Sequence, residues 1–288
     1  MNLSMPLPLA RLADRHWRTS RRVVLTTITA LVYAFMLAPI LAVAIASFDG
    51  SQTFYFRFPP QQFSLHWYRH LPVKYLHSLQ TSLIVGLSAA LISTVIGSMA
   101  ALGIVRGTYR GKGALQSFFR LPLQVPSVVT GVVFLQFYYR LSDSGVNLID
   151  TLTGLIIAHV FFTIPYAVGT VAAVLTRLNP ALEEAAQSLG ATRWTIFWRV
   201  VFPAMKPGVV AGFFYAFIVS FGDVPVTVFL ASDGNVTFPV QVFQSLQFDF
   251  EPVILALSTL VVVLSAAGIL VMQRWIGLSL LVPSAGRR

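Results

Sequence analysis

The sequence has no cysteine and little charge. Without cysteine there are no disulfides and no thiolate metal sites. Charged residues are 10% of the 288, against about 25% in ordinary soluble domains. Acids are scarcest, with 10 Asp and Glu against 20 Lys and Arg. No nucleophile–base arrangement or metal-ligand set is evident in what remains. The glycine-rich basic turn Gly107-Thr-Tyr-Arg-Gly-Lys-Gly113 departs from the phosphate-loop pattern. Its first spacing is one residue short, and Gly113 stands where a hydroxyl should follow the lysine. The chain is therefore expected to hold no ATP, metal or other cofactor and to be no enzyme by itself.

What the sequence has instead is apolar length: 56% of its residues are hydrophobic. Val23 to Phe48 carries no charge and exceeds the about 20 residues that a helix needs to cross hydrocarbon. It is also too long for the apolar core of a cleaved signal peptide. Tyr75 to Val105 supplies a second span, rich in the small residues that permit close helix packing. Leu121 to Tyr139 is the third, with Phe118 and Phe119 near its start and with Pro122 and Pro126 predicting a bend or break. Thr151 to Thr176 is the fourth and encloses His159 and Pro165. The fifth starts at Pro207, is interrupted by Asp223 and continues to Ser232; Gly208 and Gly212 in it signal a close helix contact. Pro252 to Gln273 is the sixth.

The connections are less informative. Asp49 to Lys74 is an aromatic loop. Its His66 and His70 share a helix face but lack a third ligand, which predicts packing rather than metal binding. Asp233 to Glu251 reads as a loop, and its Asn235-Val-Thr237 matches a glycosylation acceptor that is not expected to be used.

Basic residues orient the spans. With the N-terminus in the cytoplasm, 16 of the 20 Lys and Arg fall inside, and only Arg57, Arg69, Lys74 and Arg140 fall outside. The net charge of +10 is thus a matter of topology and does not point to nucleic acid. Both termini are expected in the cytoplasm, as tails over 1–22 and 277–288 flanking a membrane domain over 23–276.

One polar stretch, Asn179 to Pro203, lies between spans four and five on the cytoplasmic side. Asn179 and Pro180 suit a helix start, and Ala181 to Leu189 are good helix formers. Gly190 allows a left-handed stop. Thr192 can cap a second helix, which Pro203 is expected to interrupt, with Trp194, Phe197 and Trp198 packing it against the bundle and the membrane interface. Alone, Glu183 and Glu184 could be an ordinary solvated face.

The stretch resembles the cytoplasmic loop of permease subunits of binding-protein-dependent ABC importers. That pattern is Glu-Ala-Ala, three residues, Gly, nine residues, Ile, any residue, Leu, Pro. Here it stands as Glu184, Ala185, Ala186, Gly190, Val200, Phe202 and Pro203, with two conservative changes and the spacing intact. The resemblance covers roughly residues 20 to 276. Ser78 to Gly86, Leu121 to Pro126 and Ser220 to Thr227 resemble the spermidine/putrescine-type branch, above all its PotC-like subunit. That branch also has relatives handling other small organic cations and amino-phosphonates.

The resemblance implies an all-α integral membrane protein of the bacterial inner membrane, with six transmembrane helices and a coupling helix between spans four and five. It implies ATPase coupling through Glu183, Glu184, Ala185, Ala186, Gly190 and Pro203. The implied partners are a second, different permease, two ATPase subunits that hold ATP and magnesium, and an external solute-binding protein. The implied solute is a polyamine or another small organic cation.

Asp223, with Pro225 beside it, is the candidate solute contact or gate, because a charge at membrane depth is costly and faces a cavity or a partner. Holding a broken helix together is its other role. His159 reads as a packed polar group. An ion-coupled carrier, which also uses broken helices and buried carboxylates, and a non-transporting scaffold are the alternative functions.

Overall fold

A computed structural model describes residues 7–51, 58–232, 234–248 and 250–276. The expected tail segments 1–6 and 277–288, together with Arg57 and Asp233, lie outside the described residues.

Helix α1 (Leu7–Ala46) begins inside the expected tail and runs unbroken into the first span. Its apolar part, Ser20–Ala46, is exposed along most of its length and is buried only at Ala46, so it relies on hydrocarbon or another chain for its surroundings. Beyond α1, Ser64 N donates to Phe48 O and Gly50 N to Gln62 O. The short α2 (His66–Arg69) then brings Tyr68 OH within 2.6 Å of Ser47 Oγ, and Trp67 Nε1 donates to Asp49 O. These aromatic residues therefore fasten the loop to the end of α1.

Helix α3 (Val73–Arg106) matches the second span. The third span is broken as its prolines predict. Helix α4 (Lys112–Arg120) runs into a 3-10 turn over Leu121–Gln124, and α5 (Ser127–Asp143) leaves at 99°. Val125, held before Pro126, is extended rather than helical, as proline demands of its predecessor. Phe118 and Phe119 consequently sit in α4, before the break. Helix α6 (Leu152–Leu175) carries Pro165 without ending.

Next come α7 (Ala181–Ser188), α8 (Arg193–Ile196), α9 (Phe202–Phe221), the one-turn α10 (Thr227–Leu230), α11 (Phe238–Phe248) and α12 (Val253–Ile276). Among the described residues five helices are long and apolar enough to cross a membrane, six if the bent pair is one span. The chain is a multi-pass membrane protein. It forms two compact units, one of α1, α2 and most of α12, the other of α3 to α11.

In the second unit α3, α6 and α9 pack together at small residues. A β-carbon at Gly97 would lie 2.6 Å from Ala167 Cβ, and one at Gly212 would lie 2.7 Å from Thr170 Oγ1. At Gly208 a β-carbon would lie 3.0 Å from Val174 Cγ2, so the Gly208/Gly212 pair does mark a close contact. Such approach replaces hydrophobic burial as the packing force between helices in lipid.

Two expectations are corrected. Residues 238–248 form α11 instead of a loop. Pro239 falls in the first turn, where its missing N–H costs nothing, and Phe238, Val240 and Ser245 supply a buried face. Pro203 does not interrupt a helix. A wide π turn over Phe197–Val201 joins α8 to α9, so Arg193–Phe221 runs as one rod. The wide turn gives room where the Pro203 ring would otherwise meet the Arg199 carbonyl four residues back.

Candidate functional site

The polar stretch builds an elbow from local signals. Asn179 Oδ1 accepts from Ala181 N at 3.0 Å, capping α7 one residue beyond Pro180. Glu183 and Glu184 fall in the first turn, where the helix dipole favours negative charge. At the other end Gly190 has φ of 82°. Gly190 N donates to Gln187 O, and Ala191 N to Ala186 O. This paired closure needs a left-handed residue at that point. Thr192 Oγ1 then accepts from Thr195 N and starts α8.

The elbow has two faces, and they divide the predicted site. Glu183 turns inward, with Oε1 2.8 Å from Arg106 Nη2 at the end of α3. The same nitrogen donates to Leu178 O at 3.1 Å. Ala186 and Ala191 also face inward, onto a cluster that includes Ala101, Leu175, Ile196, Val201 and Met205. Glu184 and Ala185 are exposed, beside Leu182 and Leu189; Leu189 is 89% exposed. Pro203 is exposed in α9, after the elbow. Of the expected packing residues, Phe197 joins the bundle cluster with Ile196 and Val201, while Trp194 and Trp198 are exposed and open to a membrane interface. Arg106 was missed as a site residue, since its place in a basic turn explained it as a topology signal.

The second region surrounds Asp223. Helix α9 stops at Phe221, and Asp223 Oδ2 accepts from Val226 N, Thr227 N and Thr227 Oγ1 at 3.0–3.1 Å. It thereby caps the one-turn α10. Its Oδ1 makes no hydrogen bond among the described residues. The carboxylate lines a cavity of about 120 Å³ with Ser127, Thr130, Phe162, Tyr166 and Pro122. The broken third span forms one wall. Gly131 lets α5 approach, as a β-carbon there would lie 3.1 Å from Pro225 O. Asp223 thus lines a cavity beside the helix break, whereas Pro225 does not line it and lies against Gly131.

Behind them lies a buried polar chain. His159, at 0% exposure, places Nδ1 2.7 Å from Ser220 Oγ and Nε2 3.0 Å from Thr227 Oγ1. Thr227 has spent its only proton on Asp223, so Nε2 must donate to it. With Nε2 carrying the proton of a neutral ring, Nδ1 accepts from Ser220. Thr163 donates to His159 O and meets Ser93 Oγ at 2.7 Å. His159 is therefore a hydrogen-bonded packing group joining α6, α9 and α10. Elsewhere His66 and His70 stack ring on ring at 4.6 Å, and among the described residues no three metal-ligating side chains converge.

Residues 93–280 match a family described as "Binding-protein-dependent transport system inner membrane component". The chain is 30% identical to the putrescine transport system permease protein PotI of Escherichia coli (strain K12), over 85% of this chain and 87% of that one. It is 28% identical to the spermidine/putrescine transport system permease protein PotC of Haemophilus influenzae, over 84% and 92%. Its fold is similar to a chain of a bacterial ABC transporter that imports the acidic polysaccharide alginate, with TM-score 0.64, 16% identity and coverage of 91% and 97%. A chain of the inward-facing MetNI methionine ABC transporter is similar with TM-score 0.53 and 18% identity, over 71% and 93%.

Proposed function

The chain belongs to the family of binding-protein-dependent transport system inner membrane components, and from that premise we propose that it forms half of the solute pathway of an ATP-driven importer. A second, different permease completes the pathway. Two ATPase subunits bind ATP and magnesium, and a periplasmic or extracellular binding protein delivers the solute. The chain is a transport subunit, and hydrolysis takes place on its partners. It sits in a bacterial inner membrane with both termini in the cytoplasm, as the bias of its basic residues supports. Residues 23–276 are the permease domain, and 1–22 and 277–288 are cytoplasmic tails.

The observation that carries this reading is the outward face of α7. Leu182, Ala185 and Leu189 make an apolar stripe at helical spacing with Glu184 beside it, and all four are exposed. A short helix with an apolar stripe and one carboxylate fits a groove on a cytoplasmic ATPase. ATP draws two ATPase subunits together, the docked helices follow, and the spans change the side to which the pathway opens. ATP shifts the population of two states, and no covalent chemistry occurs on this chain.

The solute is a polyamine or another small organic cation. The names of the relatives support this, as does the Asp223 carboxylate beside Phe162 and Tyr166, since aromatic faces and a carboxylate both attract ammonium groups. Pro225 holds the adjoining turn against α5 as part of the gate. Membranes solubilised in mild detergent test the reading through Glu184→Arg. The intact chain is expected to retain an ATPase and a second permease, and the variant to lose the ATPase by about thirtyfold or more, in the range of a reversed interface charge. An intact membrane complex that holds no ATPase would contradict it.

A further inference from the structure

We propose that Arg106 is a positioning residue that ties the docking helix to α3, so that movement of α7 is passed to the far end of the second span. The proposal rests on the reading of α7 as the ATPase-docking helix. Along the chain α7 is joined only to α6, through residues 176–180, and to α9, through the elbow. Arg106 adds a third attachment. Its Nη2 meets Glu183 Oε1 at 2.8 Å and donates to Leu178 O at 3.1 Å, so one guanidinium holds both the exit of α6 and the first turn of α7.

The attachment is supported from behind. Lys112 Nζ donates to Val105 O and Gly107 O, which satisfies carbonyls at the C-terminal end of α3 and fixes the turn that follows Arg106. The inward apolar contacts of α7 are made by Ala186 and by Ala191 after it. Alanine contacts resist approach but slide easily, whereas a guanidinium hydrogen-bonded to Leu178 O and ion-paired with Glu183 ties two segments to α3.

At the other end α3 holds α11. Ser82 Oγ accepts from Phe238 N at 2.7 Å, and Tyr75 OH donates to Ser245 Oγ at 3.2 Å. A helix of 34 residues is about 50 Å long. Arg106 and α11 are therefore the two ends of one rod. The pair is partly buried, with 25% and 27% exposure of its side chains, so removing one member strands the other, and the variant that neutralises both separates loss of the tie from that cost.

The test uses the whole complex in lipid nanodiscs, with ATPase, second permease and binding protein. Spin labels are placed at Val146→Cys and Leu246→Cys, two exposed positions on a chain without cysteine. ATP should shift the distance between the labels in the parent. In Arg106→Gln the ATPase should stay bound while the shift is lost, and putrescine uptake per ATP should fall about fivefold. Arg106→Gln combined with Glu183→Gln should be no worse than Arg106→Gln alone, because the two act as one.

A full shift in Arg106→Gln with ATPase bound, or losses that multiply in the double variant, would overturn the proposal. If Arg106→Gln fails to assemble, Glu183→Gln alone gives the same decision: a lost shift supports the latch and a full shift removes it. Glu184→Arg is the control for docking. If it still holds the ATPase, the docking reading falls and takes the latch with it. If it releases the ATPase while Arg106→Gln shifts normally, only the latch fails.

Discussion

The elbow at α7 and the loop at Asp223 both stop a helix, but they do so by different means. The elbow is made by neighbours in sequence. Asn179 caps, Gly190 turns left-handed, Thr192 caps again, and its outer face is left exposed. The Asp223 loop is made by residues far apart, with Ser220 and Thr227 tied through His159 on another helix and no part of His159 exposed. A surface that must fit a partner can be built locally. A break inside a helix bundle needs every polar group satisfied by whichever helix lies nearby.

This contrast can be broken at its inner side first. Asp223→Asn keeps an oxygen to accept from Thr227 and Val226 but removes the charge. Uptake of putrescine should fall roughly tenfold or more, as expected when a charged hydrogen bond worth about 1.5–3 kcal/mol is lost, with the melting temperature nearly unchanged. Unaltered uptake would leave Asp223 as a helix cap only. His159→Ala should reverse that pattern. It strands the Ser220 hydroxyl and removes the donor to Thr227 Oγ1, and thermal unfolding in detergent should show a loss of about 1–2 kcal/mol. A variant as stable as the parent would remove His159 from the account of the break.

On the outer side the effect should be smaller. Gly190→Ala meets open space, since nothing lies within 4 Å of an added β-carbon, but it keeps the left-handed φ of 82°. That conformation costs a residue with a β-carbon about 1 kcal/mol. ATPase retention should weaken a few-fold with stability barely changed. Full retention would mean that the elbow bends without help from Gly190.

Legibility in the sequence follows the same division. The spans were readable because a long run without charge has few other uses, and the break at Pro122 and Pro126 because proline acts on its own neighbours. Asn179, Gly190 and Thr192 were readable for the same reason. The pairing of Glu183 with Arg106 was not, because nothing in either local sequence names the partner. Nor did sequence divide Ala185 from Ala186, as that depends on where the cluster around Leu175 and Met205 lies. α11 was hidden by Pro239, which breaks helices in their interior but suits their first turn. Pro203 misled in the same way, because the π turn before it could not be anticipated from composition.

The central claim is that α7 presents one face to the ATPase and the other to its own bundle. The absence of cysteine makes it directly measurable, since a single thiol placed at Ala185 or at Ala186 is unique on this chain. Each variant, assembled with its ATPase, is treated with a short bifunctional thiol reagent. Ala185→Cys is predicted to cross-link to the ATPase, and Ala186→Cys is predicted not to. Cross-linking from Ala186→Cys alone, or from neither position in an assembled complex, would contradict the two-faced helix and the docking assigned to it.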